Sequence, residues 1–261
     1  VTVDVTINKL LDDKKYKTLR DILTTMNAYD IAVLFGDIHD SKVQLLFRML
    51  PKELAADVFV EMDEDTQEFL IKGFSDSELK AVVDELSADD AVDIIDEMPA
   101  SVAKRILAQA DAATRKVINQ LLAYPDDCAG SIMTPEYISL DKEWSVRQAL
   151  DHIKKEGMEA ETIYTCYVRD FGRKLIGIVS LATLVIAPDE EKIKNIMRTE
   201  FVFAHVFDDQ EEVSELFTRY GYLAIPVVDN DFRLVGIVTV DDILEVIEEE
   251  TTEDIERMGG V

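Results

Sequence analysis

A twelve-residue hydrophobic repeat runs through the first half of this chain and constrains its fold more than any other feature. Every twelfth position holds an apolar residue, in the series Met26, Ile38, Leu50, Met62, Phe74, Leu86, Met98, Ala110 and Leu122. The residue that follows is usually a helix cap or a helix breaker, in the series Asn27, His39, Pro51, Asp63, Ser75, Ser87, Pro99 and Asp111. Each unit therefore predicts one helix of about two to three turns and a short connection.

Helices this short are not stable alone in water, because too few hydrogen bonds offset the cost of starting a helix. Stacked in order, they share one continuous core, as in solenoid proteins. We therefore predict an all-helical superhelical repeat domain over residues 1–127, with the repeated apolar residues in its core.

The periodicity stops at Tyr124–Thr134, where the sequence YPDDCAGSIMT is typical of a loop. Downstream the chain contains two similar units, in which Leu175–Ser180 matches Leu234–Thr239. Each unit combines an amphipathic helix with two apolar, β-branched runs that indicate buried strands. The strand, turn, strand and Thr-x-x-Asp helix of Tyr220–Glu250 closely resembles the later half of a CBS unit. We predict a tandem CBS (Bateman) module of α+β architecture, with domains at residues 128–194 and 195–250.

The acidic residues are concentrated in two blocks. The net charge is −27; residues 51–100 contain 16 acidic and 3 basic residues, and residues 208–256 contain 16 acidic and 2 basic residues. This balance argues against nucleic acid or anionic lipid as a partner. No run approaches the ~20 apolar residues of a membrane span, and the two cysteines do not form a disulfide framework. A reducing, cytoplasmic setting is the expectation.

Carboxylates within these blocks recur at helical spacing. Asp57 and Glu61, like Asp89 and Asp93, are four residues apart and so lie side by side on a helix. Like charges at this spacing are destabilising unless a counter-ion is present, and a hard divalent cation with oxygen ligands would relieve the repulsion. A solvated acidic face remains the alternative for any single pair.

The two CBS units differ in the residues that could bind a nucleotide. Tandem CBS modules commonly bind adenosine nucleotides, with the Ser/Thr and Asp of Thr-x-x-Asp meeting phosphate and ribose. The second unit keeps Thr239 and Asp242, and Tyr222 could stack on a base; the first unit has Ser180 with Thr183 in place of the acid. No catalytic constellation is present, and we do not expect an enzyme.

Together, the helical repeat, the segment YPDDCAGSIMT and two CBS units ending in GIVTVDDILEVIEEETTEDI resemble the cytosolic portion of MgtE-type magnesium channels. The resemblance implies a regulatory Mg²⁺ sensor, a homodimer formed through the CBS domains, in which ions bridge the acids of the N domain and the CBS domains and hold the gate closed. The residues it implicates in Mg²⁺ binding are Asp89, Asp93, Asp242, Glu245 and Glu253, with Asp57, Glu61 and Asp241 as further candidates.

The same resemblance implies that a membrane domain follows, joined by a connecting helix whose start is residues 251–261. It would place this region at the cytoplasmic face of the cell membrane, as a soluble piece of a multi-pass protein. Some members bind ATP in the CBS cleft; Thr183 argues against it here.

Two other functions fit parts of the sequence. One is an adenine-nucleotide-sensing CBS module that regulates an enzyme. The other is a solenoid scaffold for protein partners, since the N domain also resembles repeats of a flagellar motor switch protein.

Overall fold

The computed structural model describes residues 3–38 and 40–259, and within them it does not describe the side chains at positions 3–5, 40, 41, 248, 249, 253, 254 and 256–259. His39, predicted as a helix breaker, lies outside the described residues. The chain divides into two compact units, Val1–Ile118 and Asn119–Val261.

Short helices in succession make up the described part of the first unit. They are α1 (Val3–Asp12), α2 (Tyr16–Leu23), α3 (Ala28–Gly36), α4 (Asp40–Phe47), α5 (Lys52–Val60), α6 (Glu64–Gly73), α7 (Asp76–Val83), α8 (Ala88–Glu97), α9 (Ala100–Gln109) and α10 (Ala112–Leu121), the last of which runs three residues past the end of the first unit at Ile118. One helix falls between each pair of repeat positions from Met26 to Leu122, which confirms the twelve-residue unit. Along the series α3, α5, α7 and α9 each helix packs on the next, and α4 packs on α6, so alternate helices form the stacked layers.

The repeated apolar residues lie in the connections between helices. Ile38, Leu50, Met62, Phe74, Met98 and Ala110 are buried there, while Met26, Leu86 and Leu122 are partly buried. The residue after the repeat position caps the next helix: the Asp63 carboxylate accepts from the Thr66 backbone N–H at 2.9 Å, and Ser75 and Glu78 form a complete capping box. Pro51 and Pro99 are the N-cap residues of α5 and α9.

Arginine side chains close two helix ends of the first unit. The Arg105 guanidinium donates to the carbonyl oxygens of Ile71 and, at 2.5 Å, of Phe74. Arg115 donates to the carbonyl oxygen of Leu107 at 2.8 Å and of Ala110 at 2.7 Å. These contacts place a positive charge at the negative end of a helix dipole and satisfy carbonyls that the helix leaves open.

The second unit contains the same α+β arrangement twice. Its elements are β1 (Tyr137–Asp141), α11 (Val146–Glu156), β2 (Thr162–Arg169), β3 (Leu175–Ser180), α12 (Leu181–Ile186) and α13 (Ile193–Ile196), followed by β4 (Ala204–His205), α14 (Gln210–Tyr220), β5 (Ala224–Val228), β6 (Leu234–Thr239) and α15 (Val240–Gly259). In each half, the first strand is parallel to the second, and the second is antiparallel to the third. The internal repeat predicted from the sequence is thus confirmed.

The segment that enters each half is bonded to the sheet of the other half. Thr134 exchanges backbone hydrogen bonds of 2.8 and 2.9 Å with Ile237 of β6, and Arg198 exchanges bonds of 3.0 and 2.8 Å with Ile178 of β3. Gly236 and Gly177 lie beside these bonds, where a side chain would contact Met133 and Met197 respectively. Glycine is therefore needed at both positions for the close approach of the backbones.

The apolar stripe of α15 is only partly buried. Helical spacing places Val240, Ile243, Leu244, Val246 and Ile247 on one face of α15, but only Ile243 and Val246 are buried, while Leu244 is 61% and Ile247 37% exposed. The helix packs on α14 along a narrower face than the stripe, which leaves its remaining apolar residues on the surface. None of the helices within residues 3–38 and 40–259 combines the length and the apolar character needed to cross a membrane.

Candidate functional site

Two carboxylates predicted to bind Mg²⁺ lie on α8. Ser87 caps this helix by accepting from the Asp90 backbone N–H at 3.2 Å, without the reciprocal bond of a full capping box. Buried residues on one face, including Val92 and Ile95, fix the helix against its neighbours. Asp89 is 7% exposed and Asp93, one turn later, is exposed. The two side chains therefore follow one another along one face, from the core boundary to the solvent.

A second pair of predicted ligands lies on α5. Asp57 is exposed, and Glu61 is exposed at the C-cap of the helix. Although Asp57 is exposed, neighbouring atoms partly bury its carboxyl group; this partial burial raises the pKa of Asp57 from its usual value, and the charges of Asp90 and Glu53 raise it further. The carboxylates of α5 and α8 thus already repel one another within this unit, which makes the surface favourable for a cation.

The predicted ligands of the other acidic block lie at the start of α15. The hydroxyl of Thr239 lies within hydrogen-bond distance of the Asp241 carboxylate and, at 2.6 Å, of Asp242 Oδ2, which also accepts from the Thr239 backbone N–H at 3.3 Å. Asp242 therefore caps its own helix. Glu245 lies exposed one turn from Asp241. The side chain of Glu253 lies outside the described part of the chain.

The donor chemistry of these residues fits Mg²⁺. Every candidate offers carboxylate oxygens, which are the ligands that hard divalent cations prefer. Among the described residues, no group of three or more His, Cys, Asp or Glu side chains is arranged to hold a metal ion. The candidates are instead distributed over α5 and α8 in the first unit and α15 in the second.

A cleft of about 270 Å³ lies between the two halves of the CBS module. Its lining residues are Thr165, Ile178, Val179, Ser180, Thr183, Ile196, Arg198, Val202, Tyr222, Ala224, Ile225 and Pro226. Ser180 caps α12 by accepting from the Thr183 backbone N–H at 3.1 Å, and the two hydroxyls are 2.9 Å apart. Residues of β2, β3 and β5 form most of the lining, Tyr222 supplies an aromatic ring and Arg198 a cation.

The cleft brings together only half of the residues predicted for nucleotide binding. Ser180 and Tyr222 line it, whereas Thr239 and Asp242 do not. Sequence reasoning missed Thr165 and Arg198. A signal for Arg198 was available, because the internal repeat aligns it with Thr134 at the entrance to each half.

Three family matches cover most of the chain. Residues 26–127 match the MgtE intracellular N domain, and residues 129–190 and 193–249 each match the CBS domain.

Proteins that this chain resembles along nearly its full length are magnesium transporters. The magnesium transporter MgtE of Thermus thermophilus is 34% identical over 98% of this chain and 58% of its own length. The MgtE of Bacillus subtilis (strain 168) is 31% identical over 96% of this chain and 56% of its own length. The chain thus spans less than two-thirds of the transporters it matches.

Among solved structures, a crystal structure of the cytosolic domain of the Mg²⁺ channel MgtE in complex with ATP superposes with a TM-score of 0.88. It is 32% identical in sequence, and the match covers 94% of this chain and all of that one. The order of a helical N domain and two CBS domains, matched at this level over both units, shows that the chain belongs to the MgtE family.

Proposed function

We propose that this chain is the Mg²⁺-sensing regulatory region of a magnesium transporter and lies at the cytoplasmic face of the membrane. Mg²⁺ ions bridge the acidic face of the N domain, formed by α5 and α8, to the acidic start of α15, and they favour the closed state. The observation that carries the proposal is the placement of the carboxylates of Asp57, Asp89 and Asp93 on α5 and α8, where partial burial and then the charges of Asp90 and Glu53 raise the pKa of Asp57.

The physical chemistry of Mg²⁺ suits a sensor. The ion keeps several waters and takes one or two carboxylates, so each site is weak and exchanges readily. Ions shared between two acidic surfaces bind the state in which those surfaces are close and bind the separated state poorly. Because a ligand shifts an equilibrium only by its differential affinity, several such ions acting together supply the switch.

Two partners are proposed for this chain: a transmembrane domain of the same protein and a second copy of the chain. Magnesium transporters matched by this chain are longer than it, and their remaining length is where we place the transmembrane domain that this region regulates. A homodimer formed through the CBS domains is supported by apolar side chains at the surface of that module. Val185 and Ile186 of α12 are 68% and 84% exposed, and Leu244 of α15 is 61% exposed. Burying these side chains against a second copy would be favourable.

Small-angle X-ray scattering tests the sensor. We expect the radius of gyration to fall cooperatively as Mg²⁺ is raised from zero to about 10 mM, and to stay unchanged in NaCl of matched ionic strength. Forward scattering of the same samples reports the molecular mass and therefore the dimer. An identical response to sodium would mean that the charges are merely screened, and it would overturn the proposal.

A second function, nucleotide binding, is favoured by the cleft that contains Tyr222 and Ser180 and by the ATP complex of the similar MgtE domain. Thr183 stands where an acid would accept from ribose hydroxyls. We predict that Thr183→Asp tightens ATP binding about tenfold, because a hydrogen bond to a charged group is worth about 1.5–3 kcal/mol.

Isothermal titration calorimetry with ATP measures the effect of Thr183→Asp. Thr183→Asn is the control, since it has the size of aspartate without the charge, and we expect it to match the unmodified chain. Equal affinities of the Asp and Asn variants would count against ribose recognition at this position.

A further inference from the structure

A second cavity opens on the surface of the first unit, and none of the residues assigned to Mg²⁺ lines it. This N-domain groove has a volume of about 340 Å³ and is lined by Phe47, Arg48, Leu50, Lys52, Ala55, Phe74, Glu78, Ala81 and Val82. The lining comes from four consecutive helices of the repeat: the end of α4, α5, the end of α6, and α7. Its size lies at the lower end of the range for small-molecule sites, about 300–1,000 Å³.

Aromatic rings form the floor of the N-domain groove. The centroids of Phe47 and Phe74 are 5.3 Å apart, and Phe59 lies behind them, 6.1 Å from Phe47 and 6.5 Å from Phe74. Leu50 and Val82 are buried beside the rings. This packed cluster holds the floor rigid, so the groove is formed before any ligand arrives.

Two cations lie at the mouth of the groove. The Arg48 guanidinium donates from Nε to Glu78 Oε1 at 2.6 Å and from Nη2 to Glu78 Oε2 at 3.5 Å. Hydrogen bonds from Arg48 and from the backbone and hydroxyl of Ser75 lower the pKa of Glu78 to about 2, so this carboxylate is charged at neutral pH and holds the guanidinium in place. No described side chain forms an ion pair with Lys52, which is exposed. The lining therefore has an excess positive charge within a strongly acidic segment.

We propose that the N-domain groove binds a compact organic carboxylate. An aromatic or branched apolar body would lie on the Phe47 and Phe74 rings, and the carboxylate would accept from Arg48 and Lys52. A bound amphipathic helix would need an apolar track long enough for several anchors along its length, whereas here the apolar lining is confined to one cavity. The positive charge at the mouth of the groove favours a ligand with an anionic group, and the aromatic floor favours a ligand whose remaining part is apolar.

Two-dimensional ¹H–¹⁵N NMR of the whole chain tests the proposal, with 4-phenylbutyrate as the probe and 4-phenyl-1-butanol as its neutral counterpart. At an ionic strength of about 0.15 M, distant charges are largely screened and the local cations dominate. We expect saturable shifts of amides on α5 and α7 with the acid, and at least about fivefold weaker binding of the alcohol.

Three variants locate the binding site. Ala81→Phe fills the groove from a half-buried position and should weaken binding of 4-phenylbutyrate about tenfold or more, and Lys52→Gln should weaken it several-fold. Lys72→Gln is the matched control, because Lys72 pairs with Glu68 on α6 at 2.6 Å and does not line the groove.

Three results would overturn the proposal. They are the absence of shifts at about 10 mM acid, equal binding of the acid and the alcohol, and unchanged affinity in both Lys52→Gln and Ala81→Phe. Shifts of the same amides on dilution of the protein alone would also overturn it, since they would show that a second copy of the chain occupies the groove. If Ala81→Phe does not fold, the affinity of Lys52→Gln for the acid and the comparison of the acid with the alcohol still decide the test.

Discussion

We expect that replacing Asp89 and Asp93 together by asparagine raises the Mg²⁺ concentration at the midpoint of compaction by about tenfold. Both changes keep the size of the side chain and remove its charge. On α8 the two carboxylates follow one another along one face, where Asp89 is 7% exposed and Asp93 is exposed. If Mg²⁺ binds this face as proposed, removing the two charges weakens the binding of each ion there, because Mg²⁺ is held mainly by the charge of a few carboxylates. Small-angle scattering during Mg²⁺ titration measures the midpoint.

The control for this double variant makes the same charge change elsewhere in the same acidic block. Glu64→Gln with Asp65→Asn alters two exposed residues in the first turn of α6, and we expect the midpoint to move less than about twofold. Thermal unfolding without Mg²⁺ checks that both double variants fold. If both shifted the midpoint equally, net charge and not the α8 face would govern the response.

Substituting Gly236 by valine should destabilise the CBS module by about 3 kcal/mol, the upper end of the usual cost of overpacking. A Cβ atom here would lie 2.7 Å from Met133 Sδ and 2.9 Å from the Thr134 carbonyl oxygen. That carbonyl accepts from the Ile237 backbone N–H at 2.9 Å and is part of the connection between the two halves. The backbone must therefore shift and weaken this connection. Urea denaturation followed by circular dichroism gives the free energy of unfolding.

Two other glycines calibrate the effect of Gly236→Val. Gly177 is the equivalent position of the first half, where a Cβ atom would lie 2.8 Å from Met197 Sδ and 3.1 Å from the Arg198 carbonyl oxygen; we expect about 1–2 kcal/mol for Gly177→Ala. Gly172 lies in an exposed turn, where a Cβ atom would lie 3.3 Å from Asp170 Oδ1, and Gly172→Ala should change stability by less than about 0.5 kcal/mol. If Gly236→Val were as mild as Gly172→Ala, this close approach would not matter.

The helical repeat could be read from the sequence because its signals are local. Repeat positions such as Phe74 and Met98, followed by caps such as Ser75 and Pro99, mark where each helix ends and the next begins. Capping and periodic burial act within one or two turns, so a linear sequence contains them. The repeated strand–turn–strand pattern of the CBS units is local in the same sense.

The burial of α15 was not predictable in the same way. An apolar stripe in the sequence indicates which face of a helix is suited to burial. How many residues of that stripe become buried depends on the elements that pack against the helix. Ile243 and Val246 are buried, whereas Leu244 is exposed despite its place on the stripe. The surplus apolar surface is what supports a second copy of the chain as the partner.

By itself, then, the sequence determined the element types, the internal duplication and the two acidic blocks, because each depends on residues near one another in the chain. Only the tertiary structure decided which residues share a cavity. It placed Ser180 and Tyr222 together with the unanticipated Thr165 and Arg198, and left Asp242 to cap its own helix. It also created the N-domain groove by packing four consecutive helices of the repeat, α4 to α7, against one another. The physical reason is that a cavity depends on the packing of distant segments, which no local pattern encodes.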